Sequence, residues 1–159
     1  MSTSTDDVRI RDLRPLLPPA ILMEELPIGP EHCSRIDAAR HCISNILAGR
    51  DRRLMVVVGP CSIHDPEAGL EYAHRLREAA NKYEDDLYLV LRSYFEKPRT
   101  TVGWKGLIND PDMDGQFSIN RGLRLARGFL RSAVELGLPT GTEFLDPITP
   151  QFIADLVAW

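Results

Sequence analysis

Leu54–Pro66 reads LMVVVGPCSIHDP. Its opening apolar run, rich in valine and stopped by Gly59-Pro60, predicts a strand buried on both faces, as in a parallel sheet. Asp65 is a good helix N-cap and Pro66 suits the first helical position. One short segment thus reads as strand, turn and helix start. The helix that follows carries Leu70, Ala73, Leu76, Ala79 and Ala80 on one stripe and runs to about Tyr83.

The unit then repeats. Leu87–Arg92 (LYLVLR) reads as a second strand. A helix from about Ser118 to Leu136 places Ile119, Leu123, Ala126, Leu130, Ala133 and Val134 on one face, and Gly137 ends it. A third strand is expected over about Thr140 to Leu145, broken by Asp146-Pro147. Thr149 is expected to cap a fourth helix, with Pro150 at N1 and Phe152, Ile153, Leu156 and Val157 facing inward, still helical at Trp159. Strands joined by helical crossovers predict an α/β fold with a parallel sheet. An open doubly wound sheet and a TIM barrel both satisfy the pattern. Three βα units cannot close a barrel of eight, so a barrel reading makes this chain its front part.

Upstream, Glu31 to Ala48 reads as a helix with Ile36, Ala39, Cys42, Ile43, Ile46 and Leu47 on one face, stopped at Gly49. Residues 1–30 are broken by Pro15, Pro18, Pro19, Pro27 and Pro30 and read as irregular. They still carry many apolar residues, which predicts an arm packed on the domain body or on another subunit.

The 159 residues are 43% hydrophobic and 26% charged, with net charge −4, as in an ordinary globular domain. A mildly acidic chain without a long basic face argues against nucleic acid as the main partner. No apolar run approaches the roughly 18–20 residues of a membrane span. Three cysteines without a CxxC pair fit a reducing cytoplasm, and the first residues lack the pattern of a secretory signal.

The chemistry gathers after the strands. Arg92, Lys97, Arg99 and Lys105 crowd one stretch, LRSYFEKPRTTVGWKG, opposed only by Glu96. Arg forks, a Lys point charge and Thr hydroxyls are what a small anion needs. In either α/β architecture the ligand site lies beyond the strand C-termini. Cys61 and His64 follow the first strand, the cations follow the second, and Glu143 and Asp146 follow the third. Cys61 is open to two roles, nucleophile or metal ligand. Arg92 and Lys97 would clamp one anion, Arg99 and Thr100 a second. Glu143 would orient water or move a proton. A Schiff base on Lys97 is a further possibility.

GPCSIHD, RSYFEKPRTTVGWKGLINDP and the run TEFLD…TPQ…ADL…W resemble 3-deoxy-D-arabino-heptulosonate 7-phosphate (DAHP) synthases of type I, from about Asp6 to Trp159. The resemblance implies a (β/α)8 barrel with an N-terminal extension: residues 1–48 as arm plus helix, and 49–159 as the first, incomplete part of the barrel, cut after about three βα units. It implies condensation of phosphoenolpyruvate with erythrose 4-phosphate, the first step of the shikimate pathway. It further implies a divalent metal (Mn, Fe, Co or Zn), an aromatic amino acid as feedback effector, a homo-oligomer and a cytoplasmic location. Carried over by motif, Cys61 is a metal ligand, Arg92 and Lys97 hold phosphoenolpyruvate, and Arg99 and Thr100 grip erythrose 4-phosphate. Lys97 and Glu143 are catalytic, and Asp6, Asp7, Pro150 and Gln151 line the effector pocket. The family's other metal ligands come from later strands. The expectation for the isolated piece is therefore an inactive fragment with the edge of its third strand unpaired; a non-catalytic remnant that binds phosphate ligands or partner subunits is the alternative.

Overall fold

The computed structural model describes residues 8–10, 12–99 and 101–159. Five α-helices and three strands alternate as α1 (Pro19–Glu25), α2 (Pro30–Leu47), β1 (Leu54–Val58), α3 (Pro66–Lys82), β2 (Leu87–Arg92), α4 (Ile119–Glu135), β3 (Thr140–Gly141) and α5 (Pro150–Ile153), with a 3-10 turn over Ala154–Leu156. The strands are parallel and lie in chain order, β1-β2-β3. Leu54 stands opposite Leu87, and Leu91 opposite Thr140. The α/β reading therefore holds, with all strand C-termini on one rim.

The start of α3 follows from its sequence. Asp65 Oδ1 accepts from the amides of Glu67 (2.9 Å) and Ala68 (3.3 Å), satisfying two of the donors that a helix start leaves free. Asp65→Ala is expected to lower the unfolding free energy by about 1 kcal/mol. A urea midpoint equal to that of the unsubstituted chain would contradict this capping role.

The core lies between β2 and the helices. Leu89, Val90 and Leu91 are buried, as are Ala73 and Leu76 of α3 and Leu123, Ala126, Phe129, Leu130 and Ala133 of α4. Gly122 lets α4 approach the preceding loop closely: a Cβ there would stand 2.1 Å from the Ile108 carbonyl oxygen. Gly49 and Gly137 both adopt positive φ at helix ends, as expected of C-terminal glycines.

Several expectations are corrected. β1 is not buried on both faces: Leu54 is 64% and Val57 40% exposed, because β1 is the outer strand of the sheet. The irregular arm contains a helix, α1, since Pro19 sits where proline starts a helix rather than breaking one. Of the two packing alternatives for the arm, the body of the domain is its partner at Leu22, which is fully buried, and at Leu17, Leu26 and Ile28. α2 begins at Pro30, where Gly29 donates its amide to His32 Nδ1 (3.3 Å). Leu47 leaves the expected apolar stripe and is exposed.

The C-terminal segment differs most. β3 is two residues long, and Phe144 and Leu145 are exposed. Thr149 does not cap α5. Asp146 accepts from the amides of Ile148 (2.6 Å) and Thr149 (2.9 Å) and from the Thr149 hydroxyl (2.6 Å), so the turn closes one step earlier. The fourth helix does not reach Trp159, because Val157 is extended. The amides of Ala158 and Trp159 donate to the Thr140 carbonyl (2.9 and 3.1 Å), and the Thr142 amide donates to the Trp159 carbonyl (3.0 Å). The far edge of β3 is thus paired at Thr140 and Thr142, not open.

Candidate active site at the strand C-termini

The site begins with a close approach of two backbones. A Cβ on Gly59 would stand 2.7 Å from the Arg92 carbonyl oxygen. Only glycine lets the β1 exit press against the end of β2. The Ile63 amide then donates to the Tyr94 carbonyl (2.8 Å), and Arg92 Nη2 to the Cys61 carbonyl (3.3 Å). These contacts bring the thiol to the cationic loop, where Lys97 Nζ lies 2.9 Å from Cys61 Sγ.

The loop is built around a buried base. Phe95 meets the Phe129 ring edge-on at 5.9 Å. The Lys97 amide donates to the Lys105 carbonyl (3.1 Å), and Lys105 Nζ donates to the Arg99 carbonyl (3.0 Å). Trp104 Nε1 donates to the Asp110 carbonyl (2.7 Å). Gly106, at φ 102°, passes under Phe95, where a Cβ would stand 2.2 Å from the carbonyl oxygen. On the β3 side, the Ser93 amide donates to the Gly141 carbonyl and the Thr142 hydroxyl to the Ser93 carbonyl (both 2.8 Å).

The electrostatics are one-sided. Among the described residues, none of Arg92, Lys97, Arg99 and Lys105 pairs with a carboxylate, although eight Arg–carboxylate ion pairs form elsewhere. Glu96 faces the other way. Asn109 Nδ2 reaches its Oε1 (3.3 Å), while burial and then the neighbouring Asp146 carboxylate push its pKa up. At Asp146 burial acts upward, but the bonds from Thr149 and Ile148 outweigh it and hold the group low. The Arg92 guanidinium stacks over the Tyr94 ring at 4.2 Å, and its buried Nε has no partner among the described residues. A buried donor beside cations without carboxylate partners suits the binding of an anion.

Lys97 favours the Cys61 thiolate. Its ammonium, by hydrogen bond and by charge, draws the thiol pKa below the ordinary value, and Arg92 and Arg99 add to this. The alkylation rate of Cys61 is therefore expected to rise at lower pH than for an isolated thiol. Lys97→Met is expected to move that profile to higher pH. An unmoved profile would show that Lys97 does not set the thiolate.

The expected residues fall into four groups. Cys61, Arg92 and Lys97 are joined directly, and Arg99 follows on the same loop. Glu143 is exposed on the same rim, and among the described residues no hydrogen bond or ion pair links it to that group. Thr100, Asp6 and Asp7 lie outside the described residues. Pro150 opens α5 and Gln151 Nε2 donates to the Pro147 carbonyl (3.4 Å). A cavity of about 590 Å³ opens beside them, lined by Leu16, Phe117, Asp146, Thr149 and Phe152, but neither Pro150 nor Gln151 lines it. Tyr94 was missed; its signal is the two-residue spacing from Arg92, which puts both on one side of an extended chain.

A donor set for a metal is not complete here. The described residues bring together no group of three His, Cys, Asp or Glu side chains that could hold an ion. Cys61 is an available sulfur donor.

The family model described as "DAHP synthetase I family" matches residues 25–159. The chain belongs to the DAHP synthetase I family. Phospho-2-dehydro-3-deoxyheptonate aldolase of Amycolatopsis methanolica is 55% identical over 159 residues, all of this chain and 78% of that protein. The Phe-sensitive enzyme of that name from Escherichia coli K12 is 54% identical, over all of this chain and 45% of its own length. Relatives named Trp-sensitive and Tyr-sensitive are also 54% identical. The solved phospho-2-dehydro-3-deoxyheptonate aldolase of Francisella tularensis superposes with a TM-score of 0.91 at 49% identity, over 94% of this chain and 44% of that one. The chain thus spans under half the length of most of these relatives. All carry the aldolase name, which does not favour the reading as a non-catalytic remnant. No described helix is long and apolar enough to cross a membrane.

Proposed function

We propose that the protein carrying this chain condenses phosphoenolpyruvate with erythrose 4-phosphate and water, giving DAHP and phosphate, and that residues 49–159 form the first strands and helices of its (β/α)8 barrel. Residues 1–48 are the extension outside that barrel. The observation that carries the reading is the set of unpaired cations beside Cys61. Both substrates are anions, and two adjacent cationic pockets hold them side by side. Arg92, braced on Tyr94, and Lys97 hold phosphoenolpyruvate; Arg99 and Thr100 hold the erythrose phosphate. Lys97, against Cys61, neutralises charge nearest the reacting carbons. Glu143 orients water from the β3 side.

A divalent ion (Mn, Fe, Co or Zn) is the cofactor of this reading, with Cys61 as the ligand this chain provides. Its remaining ligands come from outside the described residues. When bound it supplies Lewis-acid polarisation. An aromatic amino acid is the feedback effector, at Asp6, Asp7, Pro150 and Gln151; the Phe-, Trp- and Tyr-sensitive names of relatives support an effector without choosing among the three. The protein works in the cytoplasm as a homo-oligomer. The test is product formation from both substrates with added Mn²⁺. Failure to consume phosphoenolpyruvate only when erythrose 4-phosphate is present would overturn the proposal.

A further inference from the structure

Glu96 is the one acid inside the cationic stretch, yet among the described residues it pairs with none of that stretch's cations. Its Oε1 accepts from Asn109 Nδ2 (3.3 Å), and its Oε2 is buried with no partner among the described residues. The same Asn109 Nδ2 reaches the Lys105 carbonyl (3.4 Å), which also accepts from the Lys97 amide (3.1 Å). Glu96 therefore stands where the outgoing and returning limbs of the loop are tied together.

Asp146, in the turn after β3, lies within hydrogen-bond reach of the Glu96 carboxyl. Two carboxyl groups this close do not both ionise; one keeps its proton. The surroundings choose which. Asp146 already accepts the Ile148 and Thr149 amides and the Thr149 hydroxyl, three bonds that favour its charged form. Half-buried Glu96 is offered only the Asn109 amide and, more loosely, the Leu145 amide. A proton on Oε2 turns an acceptor without a donor into a donor with an acceptor, the Asp146 carboxylate. The other charges nearby are engaged or turned away. Arg14, Arg121 and Arg124 line the same cavity as Asp146, but Asp12, Asp112 and Glu25 hold them. Lys97 lies against Cys61, and Lys105 against the Arg99 carbonyl. Asp110 accepts the Gly115 amide (3.2 Å), and Glu143 is exposed.

We propose that Glu96 is a positioning residue for the erythrose phosphate: protonated, it bonds Asp146 and holds the Lys97–Arg99 stretch at the turn after β3. This rests on the reading above that Arg99 grips that substrate. Glu96 touches neither substrate. Lys97 is fixed separately, at its amide and at Cys61, whereas Arg99 is held at its carbonyl by the returning limb. The bond exists between the two titrations of the pair. Its Asp146 end is lost only in acid, below the ordinary carboxylate range, and its Glu96 end is lost as pH rises through the raised pKa of that group. Above that pH the two carboxylates repel, and the loop parts from the turn.

The experiment uses the whole protein that carries this chain and measures kcat and KM for erythrose 4-phosphate from about pH 5 to about pH 9. Glu96→Gln keeps a donor for Asp146 and an acceptor for Asn109 at every pH. The titration of the substrate itself is common to all variants, so the reading is the difference between profiles. At the acid end the unsubstituted protein and Glu96→Gln are expected to coincide. At the alkaline end the unsubstituted KM is expected to stand about 10-fold above that of Glu96→Gln, with kcat within about 2-fold. Glu96→Ala, which removes the bond, is expected to show the raised KM throughout. Profiles of the unsubstituted protein and Glu96→Gln that coincide at every pH would overturn the proposal. A separate readout needs no turnover: just above the ordinary carboxylate range, infrared spectra are expected to show a carboxylic-acid C=O band that Glu96→Gln lacks. Absence of that band would overturn the shared proton whether or not product forms. A band without any product from the two substrates would overturn the reading of function, and the positioning role with it.

Discussion

Lys97→Met, in the protein that carries this chain, is expected to lower kcat/KM by about 10²–10³-fold, the usual cost of deleting a preorganised charge from a site of developing negative charge. Lys97 Nζ lies 2.9 Å from Cys61 Sγ, and no carboxylate among the described residues competes for it. Methionine keeps most of the side chain's length and apolar stem, so the change reports the charge more than the packing. The same variant gives a second reading in the thiol profile described above. A loss under about 10-fold would remove Lys97 from the catalytic group. Arg92→Lys makes a useful companion. It keeps a charge but loses the planar fork and the stack on Tyr94, and is expected to raise KM for phosphoenolpyruvate.

Gly106→Ala is expected to cost about 2–5 kcal/mol of stability, the sum of a forced left-handed residue and an overpacked backbone contact. At φ 102° an L side chain is strained, and its Cβ would meet the Phe95 carbonyl oxygen at 2.2 Å and the Glu96 Cα at 2.6 Å. Both are backbone atoms and cannot swing aside. Gly103 is the control. Its φ is 108°, but the nearest atoms to a Cβ are on the flexible Arg99 side chain, from 3.4 Å. Gly103→Ala should show the conformational cost alone, about 1–2 kcal/mol. Urea unfolding of the two variants separates the contributions. Midpoints that coincide would mean that the Phe95 contact yields freely.

What the sequence made legible was local. The valine run with Asp65-Pro66, the LYLVLR strand and the glycines at 49 and 137 carry their structural reason within a few residues, so β1, α3 and β2 fall where expected. The cationic loop was legible for the same reason, since Arg92, Lys97 and Arg99 are close in sequence. α1 was hidden because Pro18-Pro19 reads as a break when counted by residue type and as a start when counted by position. β3 was overlong because TGTEFLD has a strand's composition, whereas its hydrogen bonds depend on where Trp159 returns. Arg127, buried on α4 with its guanidinium on the Asp155 carboxylate, was invisible to periodicity. It resembles any solvated arginine on a helix until Asp155, a distant residue, is placed beside it.

The chain-order sheet has a kinetic consequence. Because β2 follows β1 at one edge and β3 follows β2, no strand has to be inserted between two already paired. A chain emerging from its N-terminus can dock each of these strands as it arrives, and each pairing among β1, β2 and β3 spans only one helical crossover. Protection of backbone amides during synthesis should therefore advance from β2 toward Thr140, with the bonds of Ala158 and Trp159 the last to form among those of the described residues. Those two residues are the growing front of the sheet.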